Sequence, residues 1–177
     1  MKNYDRKQFI FGHMLGHGRT GNIFKITLGK KTGALKMVAL YKDENKLEEL
    51  FNEIKIYIGP LKEFQGIYIP KLLKFGVLHE AFVFILTSLA EETFATMEDN
   101  ITRKEKQLAI EGLQKLHLKG VMHGDIRLEN IMIKRKNNNS TCVWWIDFGW
   151  CKITYNMKDL NKELNDLKYL LGMANMK

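Results

Sequence analysis

A chain of 177 residues can bury one good core, or two small lobes sharing a cleft, but is too short for two full-sized domains. Its 45% hydrophobic content and two prolines fit a folded unit, no apolar run approaches the ~18 residues of a membrane span, and no long apolar segment follows the first residues as a secretory signal requires. A net charge of +8 favours anionic partners, whether nucleotides, nucleic acid or acidic peptides, without choosing among them, and solvated basic faces account for the small clusters Lys30-Lys31 and Lys134-Arg135-Lys136.

Cys142 and Cys151 are the only cysteines and form no Cys-x-x-Cys, which argues against structural zinc and for a reduced, intracellular setting, cytoplasmic or nuclear, away from membranes.

Gly16-His17-Gly18-Arg19-Thr20-Gly21 carries Gly-x-Gly-x-x-Gly, a pattern shared by several phosphate-binding loops and by ordinary hairpins with glycines in the turn. A dinucleotide-binding loop opens a helix. Here Ile23-Phe24-Lys25-Ile26-Thr27-Leu28 is β-branched and aromatic, and Gly29 to Gly33 reads as a turn into another strand, so the glycines predict a strand-loop-strand.

The next strand, Ala34 to Leu40, carries one lysine, Lys36, in an apolar context. From Asp43, a candidate N-cap, Leu47, Leu50, Phe51, Ile54 and Tyr57 recur at helical spacing until Gly59-Pro60. Glu53 lies three residues after Leu50 and four before Tyr57, on the edge of that buried stripe. A carboxylate there either reaches solvent or wants a cation, and Lys36 is the candidate. Lys42 is the rival, but it stands immediately before the cap and leaves no room for the strand to continue and the chain to turn.

Ile67-Tyr68-Ile69, Lys71 to Val77 and Ala81 to Leu86 read as two further strands, giving an antiparallel sheet of about five strands with one helix in the first half. Beyond Thr87-Ser88-Leu89 the character turns helical. Thr102-x-x-Glu105 is a capping box, and Ala109, Leu113 and Leu116 carry a buried stripe to Gly120.

His123-Gly124-Asp125-Ile126-Arg127-Leu128-Glu129-Asn130 follows directly, and strands at Ile131 to Ile133 and Cys142 to Ile146 flank a polar turn before Asp147-Phe148-Gly149. Leu160, Leu164, Leu167 and Leu171 then make one amphipathic helix, on which Asp166 reads as a surface aspartate.

Two carboxylates and an asparagine in this order are what phosphoryl transfer needs. Together, His123-Gly124-Asp125 with Asn130 and Asp147-Phe148-Gly149 resemble the catalytic and metal loops of the protein-kinase-like superfamily, over roughly residues 10 to 150. The resemblance implies an α+β, two-lobed single domain: an N-lobe of about 1–87 with a five-stranded antiparallel sheet and one helix, a hinge at about 87–90, and a small, mostly helical C-lobe over 91–177.

It implies ATP and Mg²⁺ as cofactors, with Asp125, Lys36, Arg127 and Asn130 as catalytic residues and Asn130 and Asp147 as metal ligands. Nucleotide contacts fall to Gly16, His17, Gly18, Arg19, Thr20, Gly21, Ile23, Ala34, Lys36 and Glu53, with Leu86 at the back of the pocket and Thr87, Ser88 and Leu89 meeting adenine through their backbone. Lys36 would hold the α- and β-phosphates with Glu53 orienting it, and Arg127 would touch the transferring phosphate. Asp166 has a faint likeness to the family's aspartate that braces the catalytic loop.

Two departures accompany the match. Gly124 stands where many regulated kinases carry an arginine that receives a phosphorylated activation loop, and the stretch after Gly149 contains neither an Ala-Pro-Glu nor a long activation segment. An enzyme not switched on by loop phosphorylation is the expectation, similar in that respect to the atypical KEOPS-complex and RIO kinases; His-Gly-Asp also occurs in aminoglycoside and choline kinases.

Foremost is a minimal protein serine/threonine kinase with a protein substrate. The alternatives are a KEOPS-like ATPase or kinase acting with tRNA through its basic surface, and a kinase-like decoy or scaffold that docks on a true kinase or larger complex.

Overall fold

A computed structural model describes residues 1–18, 21–90, 92–97, 100–135 and 141–174. Its first half is a sheet with one helix across it. Strands β1 (Asn3–Tyr4), β2 (Phe9–Gly18), β3 (Gly21–Leu28) and β4 (Lys31–Ala39) precede helix α1 (Glu44–Ile58), and β5 (Leu72–Leu78) and β6 (Phe82–Thr87) follow it. The spatial order is β1-β5-β6-β4-β3-β2.

All neighbours are antiparallel except β1 and β5. The five expected strands are therefore joined by a sixth that two residues could not announce. β1 is fixed by its side chain: the Tyr4 ring meets Phe84 edge-on at 5.3 Å, and Gly76 makes room for it, since a Cβ there would lie 2.4 Å from the Lys2 carbonyl. Ile67 to Ile69 forms no strand but a turn, from which the Tyr68 carbonyl accepts the Trp145 N–H at 2.9 Å.

Strand alternation splits the sheet's side chains between two apolar clusters. Leu35, Phe84 and Leu86 join Tyr4, Phe9, Ile26 and Leu78 on one face; Val38, Val83 and Ile85 point the other way, towards α1. α1 starts where expected, with the Asp43 side chain accepting the Lys46 N–H at 3.1 Å, and buries Leu50, Ile54 and Tyr57.

In the second half β7 (Glu92–Thr93), the short α2 (Phe94–Met97) and α3 (Arg103–Leu118) come first, then β8 (Val121–Met122), β9 (Ile131–Arg135), β10 (Thr141–Trp145), β11 (Lys152–Ile153) and α4 (Met157–Leu170). The capping box at Thr102 and Glu105 is made in both directions, and Arg135 clamps the same glutamate at 2.8 Å. β9 and β10 form the expected hairpin, whose tip at 136–140 lies outside the described residues. Apolar side chains of α1, α3, α4, β9 and β10 share one core, which fastens the two halves together around Trp145 and Phe148.

Candidate active site

Lys36 on β4 and Glu53 on α1 face each other because β4 presents even-numbered residues to α1, and Glu53 sits at the edge of the stripe that α1 buries. Lys36 Nζ lies 2.8 Å from Glu53 Oε2 and 2.7 Å from Asp147 Oδ1. All three side chains are nearly out of water. Burial alone would lower the Lys36 ammonium, but the Glu53 and Asp147 charges outweigh it and hold the lysine above its ordinary value. Burial likewise pushes the Glu53 carboxyl up, against the pull of Lys36 and with Asp147 adding to the rise. Lys42 is exposed in the turn before α1, so the rival assignment falls.

Asp147 adopts the left-handed conformation, φ 66° and ψ 67°, and this ends the run of β10 and turns Phe148 inward. The Phe148 ring packs edge-on against Tyr57 at 5.3 Å and tilted against His123 at 5.4 Å. His123 is fully buried, and burial lowers its pKa, with the Glu163 charge opposing. The neutral ring reaches the Ile146 carbonyl through Nε2 at 3.0 Å, a contact that needs the proton on that nitrogen.

The residues of the 123–130 loop are joined to one another. Asn130 Nδ2 donates to both the backbone oxygen and Oδ2 of Asp125 at 3.0 Å, and an Arg127 guanidinium nitrogen reaches Oδ2 at 2.9 Å. The Asn130 carbonyl accepts the Ile146 N–H at 3.1 Å, which ties this loop to the residue before Asp147. Because the amide nitrogen of Asn130 faces Asp125, its Oδ1 is the atom that could ligate a metal. With the Asp147 carboxylate, that is an oxygen donor set suited to a hard cation such as Mg²⁺.

The nucleotide contacts expected from sequence divide three ways. Ile23, Ala34 and Thr87 lie on the Lys36 face by register, Ile23 and Ile85 opposite Lys36 and Thr87 opposite Ala34. Gly16, His17, Gly18 and Gly21 belong to the β2–β3 hairpin, with Gly18 opposite Gly21 at φ 143°; Arg19 and Thr20 lie outside the described residues.

Leu86 is a correction. It pairs with Leu35 and packs into the cluster on the far face of the sheet, so Ile85 and Thr87, one residue either side, take the Lys36 face in its place. Of the three residues expected to meet adenine, Ser88 is engaged elsewhere: its N–H donates to the Lys71 carbonyl and its hydroxyl accepts the Lys71 N–H, both at 2.9 Å, so that N–H is not offered to a base. Leu89 follows as the first residue past these bonds.

The 123–130 loop is braced by Glu163, a residue not singled out from sequence, whereas Asp166 is the surface aspartate expected. Glu163 on α4 accepts the backbone N–H groups of His123 at 3.1 Å and Gly124 at 2.7 Å, and its Oε2 lies 2.7 Å from His117 Nε2 on α3. Burial would raise this carboxyl, but His117 and the two N–H groups outweigh it and keep its pKa low. Asp166 is exposed and pairs with Lys162. The signal was present: Glu163 stands three residues after Leu160 and four before Leu167, the spacing that picked out Glu53.

Gly124 has a steric reason to lack the arginine. Its φ is 81°, and a Cβ would lie 2.6 Å from the Trp150 carbonyl oxygen. Gly124→Ala is expected to destabilise the fold by about 1–3 kcal/mol from positive-φ strain and backbone displacement, which a urea titration measures; a change below about 0.5 kcal/mol would show that the turn yields freely.

Comparison with known proteins bears on the same residues. The protein kinase domain model matches residues 9–171. Among relatives, the chain is 28% identical over 156 residues to "Probable serine/threonine-protein kinase fnkE" of Dictyostelium discoideum, covering 78% of this chain and 12% of that protein. It is 27% identical over 124 residues to "Probable serine/threonine-protein kinase 2" of Plasmodium falciparum, covering 64% and 23%. Against mitogen-activated protein kinase kinase kinase 5 of Arabidopsis thaliana it is 25% identical over 166 residues, covering 87% and 22%.

The matched stretch thus spans between 12% and 23% of these relatives' own length. With the domain match running from β2 to the end of α4 and through both loops, the chain belongs to the protein kinase family.

Proposed function

We propose that the chain is an ATP- and Mg²⁺-dependent phosphotransferase acting on serine and threonine hydroxyls of protein. The observation that carries this is the buried contact of one ammonium, Lys36, with two carboxylates from distant segments, Glu53 and Asp147. Phosphoryl transfer asks a protein mainly for position and for neutralising charge.

Lys36, oriented by Glu53, is a cation for the α- and β-phosphates, and the β2–β3 hairpin offers backbone N–H groups through glycines. Asn130 and Asp147 are the oxygen ligands for Mg²⁺, which when bound neutralises phosphate charge. Asp125 orients the acceptor hydroxyl and takes its proton, while Arg127 offers a cation to the transferring group. Ile23, Ala34 and Thr87 line the base side, with Leu89 at the hinge. The named serine/threonine kinases among the relatives favour a protein acceptor.

The test combines binding and chemistry. Wild type incubated with γ-labelled ATP should label serine or threonine of a generic basic protein or of itself. Mg²⁺-ATP at about 100 times its Kd should add about 2.7 kcal/mol to stability, a Tm rise of about 5–10 °C. Asp147→Asn should shrink that rise. Binding without any transfer by wild type would defeat the proposal.

A further inference from the structure

The segment after Asp147 is held from above by one strip of α1. Asn52 Nδ2 lies 2.9 Å from the Gly149 carbonyl oxygen, 2.9 Å from that of Cys151 and 3.4 Å from that of Phe148. A carboxamide has two N–H bonds, and the two short contacts use both. One turn earlier on α1, Glu49 Oε1 accepts the Trp150 indole N–H at 2.8 Å, and Gly149 lets the backbones close, since a Cβ there would lie 3.1 Å from Glu49 Cβ. Residues 49, 52 and 53 are one helix face by their spacing. All three address residues 147–151, Glu53 doing so through Lys36 and by accepting the Phe148 backbone N–H.

Three carbonyl oxygens converging on one point repel each other and lose hydration together, so the group filling that point has to donate. A carboxylate would add a fourth negative oxygen, and an apolar side chain would leave the carbonyls unanswered. Asn52 meets the requirement. It also makes α1 and the turn one unit, and because Asp147 begins that turn while Glu53 follows Asn52, that unit carries both carboxylates of the Lys36 site.

We infer that Asn52 is a positioning residue that locks α1 onto the 148–151 turn, so that the contacts among Lys36, Glu53 and Asp147 are assembled in the unmodified chain. The lock stands on geometry, and its effect on catalysis rests on the phosphotransferase reading. It answers what Gly124 leaves open: without an arginine to receive a phosphorylated loop, α1 is held by a carboxamide and an indole.

The experiment compares wild type with Asn52→Leu, Asn52→Asp and Asn52→Ser, the last a small polar change that stays folded should the others melt near working temperature. Hydrogen exchange is followed at the Cys151 amide, which donates to the Phe148 carbonyl at 3.2 Å, and across α3 and α4 as the internal reference. The Cys151 amide should exchange about tenfold faster in the variants, the scale of one net hydrogen bond, with α3 and α4 unchanged. KM for Mg²⁺-ATP should rise several-fold, more in Asn52→Asp than in Asn52→Ser.

Exchange at Cys151 within twofold of wild type would overturn the lock. So would a Tm loss with exchange rising evenly over the whole chain, which describes a merely structural residue. A wild type that neither binds nor turns over ATP would sink the phosphotransferase reading instead, while the exchange comparison still decides the lock.

Discussion

Asp125→Asn should lower phosphate transfer by about 10²–10⁴-fold, the usual size of a lost general-base contribution, and leave the Mg²⁺-ATP thermal shift nearly intact. The two readouts separate because of how Asp125 is held. Asn130 Nδ2 bonds its backbone oxygen as well as Oδ2, and the backbone contact survives substitution. An amide oxygen at the same place still accepts from Asn130 and Arg127, so the loop keeps its shape. Only the negative charge and the capacity to take a proton are lost. The check is kcat at saturating ATP beside Tm with and without nucleotide; transfer within twofold of wild type would remove Asp125 from the chemistry.

Legibility from sequence followed the kind of constraint each residue obeys. Glu53 could be found because a charge at the edge of a helical apolar stripe is anomalous, and Glu163 on α4 obeys the same rule against Leu160 and Leu167. Glu163 was not singled out, although it is buried beside those leucines, while Asp166, with its faint likeness to the family's bracing aspartate, lies exposed as its surface reading expects. The strands were likewise readable, but parity was not. Shifting a strand by one residue turns every side chain to the other face, and Leu86 was placed on the Lys36 side when the pairing of Leu35 with Leu86 and Lys36 with Ile85 puts it on the far one.

Contacts made by backbone groups leave less trace. The Ser88 bonds to Lys71 and the Asn52 contacts with three carbonyls depend on where two distant segments dock, and neither residue type is unusual in its own neighbourhood. Gly124 was conspicuous for what it lacked. Its reason, the Trp150 carbonyl, appears only once β11 pairs with β8 and brings residue 150 beneath the loop.

Lys36→Met carries the largest expected effect on stability. Lys36, Glu53 and Asp147 are 10%, 6% and 14% exposed at the side chain, so screening by water is slight. Removing the shared cation leaves two carboxylates facing each other in a medium that disfavours either charge. Breaking a buried pair from one side costs about 3–5 kcal/mol; at about 2–4 °C per kcal/mol for a chain of this size the Tm should fall by about 6–20 °C.

The loss should also depend on pH, and its sign follows from Glu53. Burial already holds that carboxyl above its ordinary value in the presence of Lys36, and without the lysine it rises further. A group whose folded pKa is raised gives stability that is present below the unfolded value, near 4.5, and is lost as pH climbs through the folded one. The deficit of Lys36→Met relative to wild type should therefore be smallest near pH 5 and grow towards pH 8, and adding Glu53→Gln should recover part of it by removing one of the two like charges. Thermal melts of the three proteins at both pH values decide the matter. A deficit that is flat with pH and untouched by Glu53→Gln would mean that lost packing around the lysine stem, rather than repulsion between two buried carboxylates, sets its size.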